Sequence, residues 1–552
     1  MRTVPTCPRQ GRSRRERLVA LGAATAAALA LAACSTSPAS SGGATSGGGS
    51  AAHVGGTLTI GIATNPATLN QDFTDNQDNS TIDALVFDSL VYLNSAEVPE
   101  PDLATSWSVS NGGDTYTFQL RHGVKWSDGK PFSSADVVYT LKDVLKYNPL
   151  EPATLLTDIK SVSANGLYTV VVNLKAPYAP FVTAMAQSFD ILPAHIYAGT
   201  NPLTNPANDK PVGTGPYIFQ SWQQNKEIVM VRNPHYWGKG PYFDKVVLGI
   251  IPNQATEIDG MLSGELDFLP DSELPTTNIK QLNSASCCRT VLVHDTPSIA
   301  LLFTNTARPP FNNVKVRQAV YTALNRNYIV QTAFSGYATP AIGPIPATYG
   351  QLYDPSANFL TAYPYNEAKA ASMLNAAGYP VKNGTRFTIT FAYTDAIAGA
   401  ASTAAIVKAE LAKININVNL VDEDLNTWAA RTYTARNFDL SYITYTSQND
   451  PALGIARTYV CQPDRSVLYS NPTGFCNSQV DADFAAGATA STAAGRQADY
   501  AKATAILEQQ LPVYPLAFRG AYVAVSKKIM NWQQALQGGG AFAVPWNNAW
   551  FG

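Results

Sequence analysis

Charge is scarce in this chain. Lys, Arg, Asp and Glu make up 14% of its 552 residues, against ~25% in ordinary globular proteins. The formal net charge is −2, and the six Arg and one Glu of the first 33 residues contribute +5, leaving the remainder near −7. A neutral-to-acidic body excludes nucleic acid and anionic lipid as its main partner. Histidine is scattered over His53, His122, His195, His235 and His294, with no HExxH and no Cys/His pair at ligand spacing, so no zinc motif is present. Six cysteines are too few for a disulfide scaffold of this length. No GxSxG elbow supports a hydrolase nucleophile. Gly123 to Lys130 (GVKWSDGK) departs from a P-loop in its glycine spacing and in the Pro131 that follows, and predicts a β-turn at Asp128-Gly129 instead. Past the N-terminus no run reaches eighteen consecutive apolar residues, so nothing there reads as a membrane span. What is plentiful is core material: 45% hydrophobic residues, 10% aromatic and 27 Tyr. That excludes a disordered chain and, at this length, predicts three or four domains.

The first fifty residues read as an address and a tether. Arg2, Arg9, Arg12, Arg14, Arg15 and Arg17 precede a mostly apolar stretch, Leu18 to Ala33, that ends Leu31-Ala32-Ala33-Cys34. A basic region and a short apolar region before small residues form an export signal, predicted here over residues 1–33. Leu-Ala-Ala-Cys resembles the bacterial lipobox, which makes Cys34 the lipidated mature N-terminus. Ser13 to Leu18 also resembles a twin-arginine signal, with Arg17 where that pattern prefers an aromatic, so the twin-arginine and general secretory routes both stay open. Residues 34–52 are the lipidated Cys and a flexible linker of Ser, Thr, Gly, Ala and Pro, with a span of roughly 23 Å.

The body alternates strands and helices. Leu58, Ile60 and Ile62 alternate with Thr57 and Thr59 as a strand, and Asn111-Gly112-Gly113 joins Trp107–Val109 to Thr115–Arg121 as a hairpin. Ser133 with Asp136, Asn313 and Asn366 each open a helix with apolar residues on one face, and Gly378 ends the last of these. Tyr168–Leu174 and Asn417–Val421 read as strands and Arg496–Gln510 as a helix. Asp422-Glu423-Asp424 reads as a solvated strand end. Two distant carboxylates meeting in a cleft, as in glycosidases, keep a secreted hydrolase as a remote alternative. Cys461 and Cys476 lie in an exported, turn-rich segment and are expected to form a disulfide. Cys287 and Cys288 are adjacent, and their state stays open.

Several long motifs then point one way. Leu103 to Leu141, Pro211 to Trp222 (PVGTGPYIFQSW), Arg232 to Trp237 (RNPHYW), Met261 to Phe268 (MLSGELDF), Pro310 to Arg326 and Asn471 to Asp481 resemble, in order, the family 5 extracellular solute-binding proteins that feed ABC importers of oligopeptides, dipeptides and nickel. The resemblance implies an α/β, two-lobed periplasmic-binding-protein-like fold (class II, large three-domain type) with an interlobe ligand cleft. Its implied domains are a discontinuous lobe I core (53–87, 208–297 and 518–552), a lobe I accessory domain (88–207) and lobe II (298–517). Gly213, Gly215 and Pro216 would set a lobe-crossing turn, and Trp107, Tyr116 and Phe118 would fill a core. The implied role is a non-enzymatic receptor, tethered outside the cytoplasmic membrane by its lipid alone. It would be a monomer without cofactor or metal, would bind no nucleic acid, and would deliver peptide or another small solute to permease and ATPase subunits.

The implied ligand contacts are Asn305, Tyr445, Ser447 and Asp450. In peptide binders resembling this chain, an Asp three residues before an acidic-Pro pair holds the ligand's α-ammonium. Here the pair is Asp450-Pro451 and that position is Ser447, which cannot supply a carboxylate's charge. The stretch Tyr393 to Val407 contains no basic residue to hold a peptide carboxylate. A longer peptide held through its backbone is the first expectation, unless Asp450 or another acid replaces the anchor. An oligosaccharide or other neutral solute is the alternative, and the poverty of His speaks against nickel chelates.

Overall fold

Side chains that alternate between apolar and polar leave Thr57–Ile62 (β1) with one face for a core. In the computed structural model this strand belongs to a mixed, eleven-stranded sheet. The structure describes residues 52–74, 76, 78–94, 98–148, 158–187, 189–446, 450–536 and 544–552. The signal, Cys34 and nearly all of its linker, and Ser447, lie outside the described residues. After β1 come β2 (Tyr217–Gln223), β3 (Glu227–Arg232), β4 (Lys245–Ile250), β5 (Phe268–Leu269), β6 (Cys288–Thr304), β7 (Ala338–Pro340), β8 (Phe387–Tyr393), β9 (Ile416–Asp422), β10 (Leu440–Thr446) and β11 (Val513–Ser526). Their order is β9-β8-β10-β6-β11-β5-β1-β4-β3-β2, with β7 on β11.

Two apolar cores lie along this sheet, and they make the fold two-lobed. One gathers Leu58, Ile60, Ile62, Leu248, Phe268, Val523, Val525 and Trp546. The other gathers Leu301, Phe303, Tyr321, Phe391, Trp428, Tyr514 and Phe518. The long strands β6 and β11 contribute to both, so they are the two segments that cross between lobes. Between the cores their antiparallel ladder slips, from Leu292 to His294 and again from His294 to Ser298. Slips of this kind bend a strand and loosen its pairing. They fall between Val291, which packs on the first core, and Ile299, which belongs to the second, and that is where a hinge needs them.

A third core is built on a separate antiparallel sheet ordered Ala104–Ser110, Thr115–Leu120, Thr169–Leu174, Ile159–Ala164. Tyr116 and Phe118 are buried in it, and Trp107 packs on its edge. The hairpin turns through Asn111 and Gly112, both at positive φ. Ser133 and Asp136 form a capping box, and Asn313 and Asn366 cap their helices. The helix opened by Ser133 leaves α geometry at Thr140, whose hydroxyl takes the Leu192 N–H at 3.0 Å. Asp128-Gly129 makes a turn, with Gly129 N donating to Trp126 O at 2.8 Å.

One expectation is corrected. Gly213 and Gly215 do not cross between the lobes: they bring the chain back from the third core to the first, against the end of helix α1 (Asp78–Val86). A Cβ on Gly213 would lie 1.8 Å from Val86 O, so only glycine fits. Cys461 and Cys476 are joined by a disulfide. The sulfurs of Cys287 and Cys288 lie 3.3 Å apart, unbonded. Among the described residues, no helix is long and apolar enough to cross a membrane.

Candidate functional site

Strand β1 has β4 on one side and β5 on the other, both parallel to it. The chain reaches β4 first and β5 afterwards, so the strand order reverses at β1. Open α/β sheets bind ligands at the carboxyl ends of their strands at such a reversal. Three carboxylates follow these three strands. Asp78 starts α1, Glu257 lies in the first turn of α2 (Gln254–Ser263), and Glu273 closes the short turn after β5. All three are buried, Glu257 completely.

Their partners are few. Asp78 Oδ2 accepts the Thr64 backbone N–H at 3.0 Å and also the Thr64 hydroxyl. Asn76 Nδ2 donates to that hydroxyl at 2.8 Å. Glu273 shares a hydrogen bond with Asp78. Neither carboxylate oxygen of Glu257 has a hydrogen-bond partner. Burial, and then the charge of Asp78, push Glu257 up to about 8 and Glu273 to about 9. Gly61 of β1 is tight here: a Cβ would lie 2.6 Å from Leu269 Cδ2 and 3.4 Å from Glu257 Oε1.

The same edge is tied to the crossing strands. Arg519 of β11 donates from Nη1 and Nη2 to the two oxygens of Asp271, both at 2.8 Å, and Tyr522 N donates to Asp271 Oδ1 at 2.8 Å. Arg519 also pairs in register with Ser298, at the end of the slipped segment of β6. The loop after β5 is thereby fixed to the hinge.

The expected contacts from the second lobe are placed differently. Tyr445, on β10 opposite Ile299 of β6, is buried; its hydroxyl lies 2.9 Å from that of Tyr433 and its ring lies under Arg457. Asn305 follows the far end of β6, about 20 Å away along the strand at ~3.3 Å per residue. Its amide donates to Arg436 O and Phe438 O at 2.9 and 3.0 Å, so it ties down a strand end and shares no wall with Tyr445. Asp450 is buried between Arg496 Nη2, 2.7 Å from both its oxygens, and Ala452 N, which it caps at 2.9 Å. Burial raises its pKa above the usual carboxylate range, against the pull of Arg496.

Asp450 anchors a seam. Leu453 and Ala488 of the second lobe pack into the third core, and Ala179 N donates to Ala488 O at 2.9 Å. Arg496, on helix α4 (Ala493–Gln510), also donates to Gly487 O at 2.7 Å in helix α3 (Ser478–Thr489). The second lobe therefore touches the third core directly. Among the described residues, the one trio of Cys, His or acidic side chains close enough to share a metal is Cys461, Cys476 and Asp481, and its sulfurs are joined in the disulfide.

Sequence reasoning missed Asp78, Glu257, Glu273 and the Asp271–Arg519 pair. Glu257 and Glu273 each follow a strand within a few residues, which was the one available signal, while Asp78 stands further on, after the short helix Gln71–Phe73.

Known proteins share this architecture. The sequence model described as bacterial extracellular solute-binding proteins, family 5 middle, matches residues 98–464. The chain is 30% identical over 446 residues to the glutathione-binding protein of Pectobacterium atrosepticum, covering 77% of this chain and 82% of the relative. It is 29% identical over 390 residues to the nickel-binding periplasmic protein of Escherichia coli, covering 67% and 71%. An ABC transporter substrate-binding protein of Listeria monocytogenes has the same fold, with a TM-score of 0.79 at 22% identity over 90% of this chain and 99% of that one. With more than half its length matched, this chain belongs to the bacterial extracellular solute-binding proteins of family 5.

Proposed function

We propose that this protein is the extracytoplasmic receptor of an ABC importer, capturing peptides between its lobes and delivering them to a permease driven by separate ATPase subunits. The observation that carries this reading is the pair of slipped strands that cross between two apolar cores, together with the contact of the second lobe with the third core. A ligand that touches both lobes stabilises the closed state, and that state is what a permease recognises. The proposed domains are those expected from the sequence: 53–87 with 208–297 and 518–552, then 88–207, then 298–517. The three apolar cores support that division.

Glutathione, the ligand in the name of one relative, is itself a peptide and favours peptides over nickel here, where only five His exist. The protein acts as a monomer without catalytic chemistry. Cys34, lipidated, holds it to the outer face of the membrane, and Cys34→Ala is expected to release it into the soluble fraction. Native mass spectrometry of freshly purified protein tests the reading. A retained mass matching peptides, lost on unfolding, supports it. A retained sugar would replace the peptide by a neutral solute.

A further inference from the structure

We propose that Asp78, Glu257 and Glu273 form a cation subsite in the cleft that receives an ammonium or guanidinium group of the bound ligand. The inference rests on the receptor reading and names the charge of the ligand.

Placement comes first. The three acids stand one after each of three parallel strands, at the strand-order reversal where ligands of α/β sheets lie. Burial comes second. Each is more than nine-tenths buried, and Glu257 has no partner on either oxygen. Asp78 and Glu273 face each other through their shared hydrogen bond, and Glu257 backs them against Gly61. A buried carboxylate without a partner is costly, so the group either holds protons or takes a cation.

Among the described residues, no protein cation fills that role. Beside burial, Asp78 acts on Glu257, and Asp78, Glu257 and the Ser272 hydroxyl act on Glu273. Arg519, on the strand beside them, is committed to Asp271. The three carboxylates do not together bring one oxygen each within 4.8 Å of both others, as ligands of one metal ion would. A spread of acids suits a larger organic cation with several N–H donors. The second lobe offers no substitute at Asp450, because Arg496 neutralises it. The anchor that Ser447 cannot supply in place of an Asp is therefore supplied from the first lobe.

The test uses ligand-stripped full-length protein and four probes by calorimetry: a tetrapeptide mixture with amino-terminal Ala, its N-acetylated form, an N-acetylated mixture beginning with Arg, and agmatine. The wild type is expected to bind free-amine or acetyl-Arg peptides at least about tenfold tighter than acetyl-Ala peptides, the weight of one charged hydrogen bond. Which of the two is favoured tells the terminal ammonium from the guanidinium. The double variant E257Q/E273Q is expected to bring that ratio to within about twofold, since Gln keeps the shape and removes the charge. Should it fail to fold, Asp78→Asn serves, with the same expectation. Equal binding of acetyl-Ala peptides by the wild type, or an unchanged ratio in the folded variants, overturns the cation subsite while the peptide reading stands. Agmatine bound through these acids, with no peptide bound, overturns the peptide reading and keeps the subsite. Binding of no probe overturns both.

Discussion

Replacing Glu257 by Gln is expected to stabilise the protein above neutral pH and to leave it unchanged at low pH. Glu257 is fully buried, and burial with the nearby Asp78 raises its pKa from 4.5 to about 8. The folded state thus keeps a proton that the unfolded chain releases. The stability this gives is whole below pH 4.5 and is lost as pH rises towards 8. Each unit in that window removes ~1.4 kcal/mol, so the loss at pH 7 is roughly 3 kcal/mol at most, and nearer 2 once the protein relaxes around the charge. Gln carries no charge at any pH. Urea unfolding of ligand-stripped protein should show E257Q and wild type within ~0.5 kcal/mol of each other at pH 5, and E257Q ahead by about 2–3 kcal/mol at pH 8. A difference that is the same at both pH values, or a variant weaker at pH 8, would refute the reasoning that an uncompensated carboxyl is buried there.

Removing either Asp450 or Arg496 should destabilise the protein by ~3–5 kcal/mol, because the other charge stays buried. The double Ala variant should lose clearly less than the sum of the two, and simple additivity in that cycle would show no coupling. Opening the Cys461–Cys476 bridge with a reductant should lower stability by roughly 3 kcal/mol for a separation of 15 residues, and an unchanged unfolding midpoint would contradict this. Gly215→Ala would place a Cβ 2.6 Å from the Val86 carbonyl carbon. It should lower the melting temperature sharply, and normal stability would mean that the close approach is wrong.

The sequence was legible where the physics is local. Ser133, Asn313 and Asn366 cap helices because a side-chain oxygen needs to reach only two or three residues along. The strand at Leu58, Ile60 and Ile62 declares itself by alternation alone. Long motifs in order carried the family. Local spacing carried little of the site. Asp78, Glu257 and Glu273 come from three separate loops, and only the parallel pairing of β1 with β4 and β5 brings them to one edge. Asp450 had a readable local role that was passed over: an Asp before Pro at the first helical position is a cap, and the structure uses it as one. Arg496 could not be seen as its partner, since it reaches Asp450 only through the packing of α4.

The central claim is that this chain captures peptides for import. Uptake of labelled tetrapeptides, compared in cells that carry the gene, lack it, or carry it restored, tests that most directly. The account predicts that uptake falls at least about tenfold without the protein and returns with the wild-type chain, but only partly with E257Q/E273Q. Uptake that is the same in all three strains, with the protein present and folded in those that carry it, would contradict the account.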